Sequence, residues 1–491
     1  MRVLLELRPA LDGHAGIPQE TRLLFRSLAS LPAVELEGLI QSGNKVLPAG
    51  ASGSKQLSQD AVIDRQSRIV VALQQNDKVN RLEWLGQVAR RVGAPLGMVV
   101  RSALGMRTDL SRFQPKHFED FVWRSMFEKS LPLADRELVT SKAHRVARVP
   151  WAAMHMAGLL TLRLGHALYP RLDTRDFDVF VVETPFPGRV SRPTRMIVRY
   201  HDAIPLLMPH TIQKRGYHQA SHFHALRRNV RDGAWFACVS EATRSDLVSI
   251  FPEAAERSVV IPNIVSHQYH DEPTPGSRVP EVLWARRNRR APHGGGLTPP
   301  DRAGGLDYLL VVSTIEPRKN HQAVIDAWER LRTSDYPDLH LVFVGGLGWD
   351  HESTVARMTP WLERGGLHLL QNVPAEDLRL LYRHARATVC PSFAEGFDFA
   401  GVEAMRSGGA VAASDIPVHR EVYGDAALYF SPYAPSELVD VLARLLTPSA
   451  AASKLRQDLV EFGRLVGSRY DAKVIAGEWA GFLTRVAGEA A

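Results

Sequence analysis

Apolar residues along this chain fall into short runs with a regular order. One run covers 3–7 and is followed by the loop Asp12-Gly13-His14-Ala15-Gly16-Ile17-Pro18, and then by apolar positions at helical spacing over 19–31. Strand, glycine loop and helix in this order open a doubly wound α/β domain. Residues 34–40 supply a second strand, and runs at 179–182, 196–200, 235–239 and 259–261 predict further strands. The later ones are separated by helical stretches, so the sheet is expected to be parallel. A second series predicts strands at 308–312, 340–344, 367–370, 387–390, 410–413 and 428–430, with helices between them and at 436–446, 452–466 and 473–486.

Two regions break this order. From about 44 to 166 the apolar positions keep helical spacing, strand runs fade, and Trp84, Trp123 and Trp151 appear. A largely helical insertion is expected there. Within it Arg90, Arg91, Arg101, Arg107 and Arg112 flank Leu85, Val88, Leu96, Val99 and Val100. Such a basic amphipathic pattern suits an anionic lipid surface, and it equally suits an apolar stripe packed on the core. Residues 271–305 are rich in proline, glycine and arginine and predict a linker. The chain therefore divides into a first domain over 1–270, the linker, a second domain over 306–466, and a terminal helix within 467–491.

A chain of 491 residues is long enough for two or three cores. Its 45% apolar and 23% charged content is that of a water-soluble globular protein. The net charge of +7 leaves nucleic acid, an anionic membrane or a phosphorylated substrate as partners. No nucleic-acid-binding motif accompanies it, so no nucleic-acid partner is expected. Cys238 and Cys390 both lie in apolar runs and read as inert core thiols of a reducing compartment. The N-terminus is too short and too charged for a signal peptide, and no apolar run reaches the roughly 18–20 residues that span a bilayer. The expected place is the cytoplasm, free or at the inner membrane face.

The densest chemistry lies in Cys390-Pro391-Ser392-Phe393-Ala394-Glu395-Gly396-Phe397-Asp398-Phe399-Ala400-Gly401-Val402-Glu403-Ala404-Met405. A strand leads into a glycine turn, and the turn opens onto a short helix ended by Gly408-Gly409. Glu395 falls in the turn and Glu403 in the helix. The helix N-terminus between them offers free backbone N–H groups and partial positive charge. Two carboxylates around an anion site suit a polyhydroxylated phosphate ester. Arg318 and Lys319 follow the strand over 308–312, at the end where parallel sheets bind ligands. Cations opening a helix oppose its dipole, which favours a functional reason for them.

These residues resemble the E-x7-E signature of retaining glycosyltransferases of family 4. The resemblance continues upstream in Val311-Val312-Ser313-Thr314-Ile315-Glu316-Pro317-Arg318-Lys319-Asn320 and downstream in Ala413-Ser414-Asp415-Ile416-Pro417-Val418-His419-Arg420-Glu421-Val422-Tyr423-Gly424-Asp425-Ala426-Ala427. It implies the GT-B fold: two Rossmann-like domains facing a cleft, here with the helical insertion in the first, and a terminal helix crossing back to the first domain. It also implies site roles. Arg318 and Lys319 neutralise the donor diphosphate, Glu395 contacts hydroxyls of the donor sugar, and Glu403 contacts the ribose. Phe397, Asp398 and Phe399, with Val402, line the sugar and phosphate, largely through backbone. His201, after the strand over 196–200, reaches toward the donor sugar. Gly16 lets its loop approach the diphosphate, and Gly345 and Val373 lie where the base is read. The family usually has Gly-Phe-Gly where this chain has Gly396-Phe397-Asp398, a departure that marks a subfamily with its own donor.

The downstream block is similar to bacterial mannosyl-, rhamnosyl- and fucosyl-transferases of surface polysaccharide synthesis. That implies a GDP-mannose, GDP-rhamnose or GDP-fucose donor and a lipid-linked saccharide acceptor, as in O-antigen, capsule or exopolysaccharide assembly. No cofactor and no metal are expected, since no His, Cys or acidic residues have ligand spacing in the sequence. The rival readings are a catalytically silent GT-B partner that binds nucleotide-sugar or glycan, and a GT-B epimerase. A Walker A loop is absent, and Gly346-Leu347-Gly348 lacks the third glycine of a dinucleotide fingerprint.

Overall fold

The computed structural model describes residues 1–14, 16–50, 58–74, 93–286 and 306–488. Its first sheet comprises β1 (Arg2–Glu6), β2 (Glu35–Gln41), β3 (Leu110–Phe113), β4 (His144–Ala147), β5 (Val179–Val182), β6 (Arg195–Tyr200), β7 (Trp235–Cys238) and β8 (Ser258–Val260). Their order is β8-β7-β6-β5-β1-β2-β4-β3. The second sheet comprises β9 (Tyr308–Val312), β10 (His340–Val344), β11 (Leu367–Leu370), β12 (Ala387–Cys390), β13 (Val411–Ser414) and β14 (Ala427–Phe430), in the order β11-β10-β9-β12-β13-β14. Neighbouring strands run parallel, except that β3 is antiparallel to β4.

The alternation expected of strands covered on both faces is present. Val3 and Leu5 of β1 face one buried cluster, and Leu4 faces another. In β9, Leu310 faces one cluster while Leu309 and Val311 face the other. Strand order reverses between β1 and β5 in the first sheet and between β9 and β12 in the second. Crevices at the carboxyl ends of such reversals are where open α/β sheets bind ligands. The fold thus offers two crevices, and the candidate residues follow the strands that form them.

Three expectations change. The stretch over 44–166 is not uniformly an insertion, because β4 and β3 within it extend the main sheet beside β2. Arg145 of β4 ion-pairs with Glu37 of β2 at 2.7 Å, so this edge is held by buried charge as well as by apolar contact. Residues 93–103 are helical; Met98 enters the core, while Leu96 and Val100 are exposed. Leu85, Val88, Arg90 and Arg91 lie outside the described residues. In the expected linker, Val279–Arg286 is a helix whose Val279, Val282 and Leu283 pack into the second domain's core.

The terminal helix Ala472–Gly488 buries Ile475, Trp479, Phe482, Leu483 and Val486 in the same cluster as Val3 and Leu5 of β1. The last described segment therefore completes the core begun by the first strand. Cys238 and Cys390 are both buried free thiols.

Candidate active site

The second-domain crevice is built by the loops after β9 and β12. After β9 the chain makes a single tight turn, Pro317–Lys319, and then enters the helix α1 (His321–Thr333), with Asn320 left-handed at φ 50°. The turn aims both cations at the loop after β12. Lys319 Nζ lies 2.5 Å from Glu395 Oε1, and Arg318 lies 2.8 Å from Glu395 Oε2. Arg318 also donates to the Ala394 carbonyl at 2.6 Å and to Glu316 Oε1 at 2.9 Å. Burial alone would raise the Glu395 carboxyl, but the charges of Arg318 and Lys319 hold it below its ordinary value.

The loop then turns into the helix α2 (Phe399–Arg406). Asp398 caps it by accepting from the Ala400 N–H at 3.1 Å. The same carboxylate lies 3.3 Å from Nε2 of fully buried His419. Burial would raise Asp398, but His419 and Lys319 hold it low. The acid at this departure from the family pattern is therefore engaged by the fold, as cap and as partner of His419. Phe397 and Val402 are core side chains, and Phe397 stands edge-on to Phe399 and Tyr470. Toward a ligand these positions offer backbone.

Glu403 is 4% exposed. It accepts from Gln19 Nε2 at 2.9 Å and from the Tyr382 hydroxyl at 3.0 Å, and burial pushes it up to about 7. Gln19 belongs to the first domain, so this carboxylate spans the cleft. Gly345 and Val373 follow β10 and β11 on the same carboxyl edge of the sheet, one and two strands from β9. A side chain at Gly345 would put its Cβ 2.0 Å from the Ser313 carbonyl oxygen, so this turn admits only glycine.

The first-domain crevice opposes these groups. Gly16 caps the helix Ile17–Ala29 with φ 69°, a conformation that favours glycine. The loop before it is held by fully buried Arg22, which donates to the carbonyls of Ala10, Asp12, Gly13 and Met126 at 2.7–2.8 Å. His201 follows β6, and its Nε2 lies 3.5 Å from Glu183 Oε2, just beyond β5. Glu20 joins them, 2.9 Å from Arg199 Nε. Folding thus brings one ligand atom each of Glu20, Glu183 and His201 within 4.8 Å of one another, a grouping that no sequence spacing announces. Arg199 brings one positive charge to the cluster. Burial pushes Glu20 up to about 8 and Glu183 up to about 7, while it lowers His201 to about 4. Burial thus favours the protonated form of both carboxyls against the pull of Arg199, and His201 is an uncharged imidazole at neutral pH.

The half-sites touch. Ser240 Oγ donates to the Gly396 carbonyl at 2.8 Å, and Glu421 accepts from the Glu241 and Ala242 N–H groups at 2.6 and 3.0 Å. A Cβ on Gly396 would sit 1.6 Å from the His201 carbonyl oxygen. Arg318, Lys319, Glu395 and Asp398 are therefore brought together, with Glu403 beyond them, and His201 meets the Glu395 loop through Gly396. The sequence reading missed Gln19, Glu20, Arg22, Glu183 and Tyr382. Acids and an arginine inside otherwise apolar helical or strand segments were the available signal.

Two family models match the chain: "Glycosyltransferase Family 4" over residues 122–269 and "Glycosyl transferases group 1" over 300–466. The chain belongs to glycosyltransferase family 4. Among curated relatives of this family 4 chain, O-antigen chain mannosyltransferase B of Escherichia coli is 27% identical over 272 residues, 54% of this chain and 65% of that protein. The serotype-specific mannosyltransferase WbdA of E. coli is 31% identical over 222 residues, 43% of this chain and 26% of that protein. The chain thus spans under two thirds of the length of these relatives. The fold matches sucrose-phosphate synthase from Thermosynechococcus elongatus, with TM-score 0.58, 12% identity and full coverage of both chains. It also matches Anabaena HepE in complex with UDP and glucose, with TM-score 0.56, 13% identity and coverage of 99% of this chain and 100% of that one. These likenesses establish the GT-B fold.

Proposed function

We propose that this chain transfers a mannosyl-type sugar from a GDP-linked donor, with retention, to a lipid-linked saccharide during O-antigen or related surface polysaccharide synthesis. The observation that carries this reading is the Arg318–Glu395–Lys319 cluster at the strand reversal of the second sheet, set against His201 across the cleft. Departure of a nucleoside diphosphate builds negative charge on its phosphate oxygens. Arg318 and Lys319 are fixed cations where that charge would grow, and preorganised charge of this kind is the largest lever on such a barrier. Glu395 stands between the cations and is placed to accept from sugar hydroxyls. Glu403, deeper in the second domain, is placed to hold ribose hydroxyls. Uncharged His201 is a hydrogen-bond donor for a sugar hydroxyl and adds no charge to the reaction centre. A front-face displacement assisted by the departing diphosphate needs no enzymic nucleophile. The donor base and sugar follow the mannosyltransferase names of the relatives and the block around Asp415.

Among the described residues no helix is long and apolar enough to cross a membrane. The exposed side chains of Leu96, Val100, Leu104 and Met106 are the contact we assign to an anionic membrane surface, next to Arg101 and Arg107. Sedimentation with anionic liposomes at low salt, lost as salt rises, tests it; no pelleting at low salt ends it.

The main test is a thermal-shift panel of GDP, UDP, TDP and ADP, followed by transfer from the stabilising nucleotide's sugars to lipid-linked acceptor. A rise in melting temperature with GDP and mannosyl transfer are expected, since a ligand that binds only the native state stabilises it. A shift without transfer or donor hydrolysis would leave a silent binding partner. Absence of any shift and any transfer would overturn the reading.

A further inference from the structure

Beside His201 the first domain holds a cavity of about 200 Å³ whose wall includes six rings: Trp151, His155, Tyr200, His201, His218 and His222. We propose that this cavity is the subsite for the acceptor's terminal sugar and that it takes a single uncharged pyranose ring. The inference rests on the transferase reading and adds to it the place and chemical class of the acceptor group.

Size is the first argument. Pockets for drug-sized ligands run to roughly 300–1,000 Å³, so this one suits a single small ring. Position is the second. Asp202 and His201 belong to the cavity wall, and the His201 backbone is also the surface against which Gly396 of the second domain rests. Asp202 senses the charges of Arg318 and Glu395. A ring in this cavity therefore lies alongside the group that a donor sugar would reach.

Chemistry is the third argument. Burial lowers His155 to about 3 and His201 and His222 to about 4, and it also lowers His218. Each is a neutral imidazole at pH 7, with one nitrogen donating and one accepting. Sugar hydroxyls likewise donate and accept, so the match is between neutral two-way partners. Arg8, whose guanidinium lies over the Trp151 ring, is paired with Glu6 at 2.8 Å. A phosphate or carboxylate ligand would thus meet no uncompensated cation from these residues. Hydrogen-bonding capacity also remains in the wall. Trp151 Nε1 and both ring nitrogens of His155 are buried without a partner, whereas buried polar atoms in native interiors are almost always paired. Ring faces against apolar sugar edges, with N–H and N groups at their rims, are what a pyranose requires.

Saturation-transfer NMR on the full chain with GDP tests this, using methyl pyranosides of mannose, glucose and N-acetylglucosamine, with mannose 6-phosphate as the charged control. At least one methyl glycoside is expected to receive saturation from the protein. Trp151→Ala and His222→Ala should each weaken its binding about tenfold or more. Both variants should keep the wild-type nucleotide-induced thermal shift, which reports the second domain. Absence of signal from all three glycosides, equal signal in both variants, or tighter binding of mannose 6-phosphate would overturn the proposal. Loss of the nucleotide shift in the wild type would count against the transferase reading instead, so the two failures are distinguishable.

Discussion

The two half-sites are built on opposite electrostatic plans. In the second domain cations and acids lie together: Arg318 and Lys319 share Glu395, and Arg318 also holds Glu316. In the first domain Glu20 and Glu183 lie in one buried cluster with Arg199 and His201. Around Glu395 charge is balanced by charge, while around Glu183 burial draws protons onto the carboxyls beside the single cation Arg199. The difference teaches which part of a nucleotide-sugar reaction each side handles. Fixed ion pairs suit the leaving diphosphate. Neutral, proton-compensated groups suit hydroxyls, which are poorly served by strong charge.

The largest expected effect comes from separating the two sides. Gly396→Ala would drive a Cβ into the His201 backbone, which cannot swing away as a side chain does. Transfer should fall by about 100-fold or more, roughly 2.7 kcal/mol in the barrier, while the nucleotide-induced thermal shift remains. A rate close to wild type would show that this contact is not needed for turnover.

Removing the charges of one side should cost less. Lys319→Ala and Glu403→Ala are each expected to lower turnover about tenfold or more, roughly 1.4 kcal/mol, with an unchanged circular-dichroism spectrum. Near-normal rates in both would remove the assignment of the second-domain site.

The proton-compensated side predicts a pH dependence with a definite sign. Glu20 and Glu183 are raised from 4.5 to about 8 and about 7 in the folded protein. The folded state therefore holds protons that the unfolded chain has already released. Their contribution to stability is complete below about pH 4.5 and is lost as pH rises toward 7–8. Histidines lowered by burial, among them His144, His155, His201 and His222, contribute with the opposite sign below about pH 6.5. The melting temperature should therefore fall from about pH 6.5 to 8, and Glu183→Gln should flatten that fall. Glu403, also raised to about 7, contributes with the same sign and leaves a residual slope in that variant. An unchanged slope in Glu183→Gln would argue against the proton-compensated account.

The smallest effect is expected at the seam. Gln19→Leu removes one of the two hydrogen bonds on Glu403 while keeping the apolar bulk. A loss of about 1 kcal/mol should appear as a few-fold rise in donor KM with little change in kcat. No change in KM would mean that Gln19 does not bear on the donor side.

How legible each half was follows from how it is assembled. Arg318 and Lys319 are adjacent, and Glu395 and Glu403 share one turn and helix, so local spacing was enough to see them. Glu20, Glu183, Arg199 and His201 come from one helix and the ends of two strands, and nothing local relates them. β4 escaped notice because its buried positions include His144 and Arg145, which break the apolar run that marks its neighbours. The helix Val279–Arg286 was hidden by the proline and glycine that precede it and the arginines that follow, although Val279, Val282 and Leu283 keep helical spacing. Asp398 was read as a change of donor because its partner, His419, lies in a separate block of sequence.

The terminal helix bears on how the chain acquires its shape during synthesis. Trp479 and Phe482 occupy the same interior as Val3 and Leu5, so the first domain's core cannot close until the segment that follows the second domain has been made. At about 5–20 residues per second the wait is tens of seconds. During that time the nascent first domain exposes an apolar seam. The second domain's core takes its last residues from Val466 and Tyr470, ahead of the terminal helix, so it is free to mature before the domain that precedes it in the chain. For these two domains the order of synthesis and the order of completion run in opposite directions.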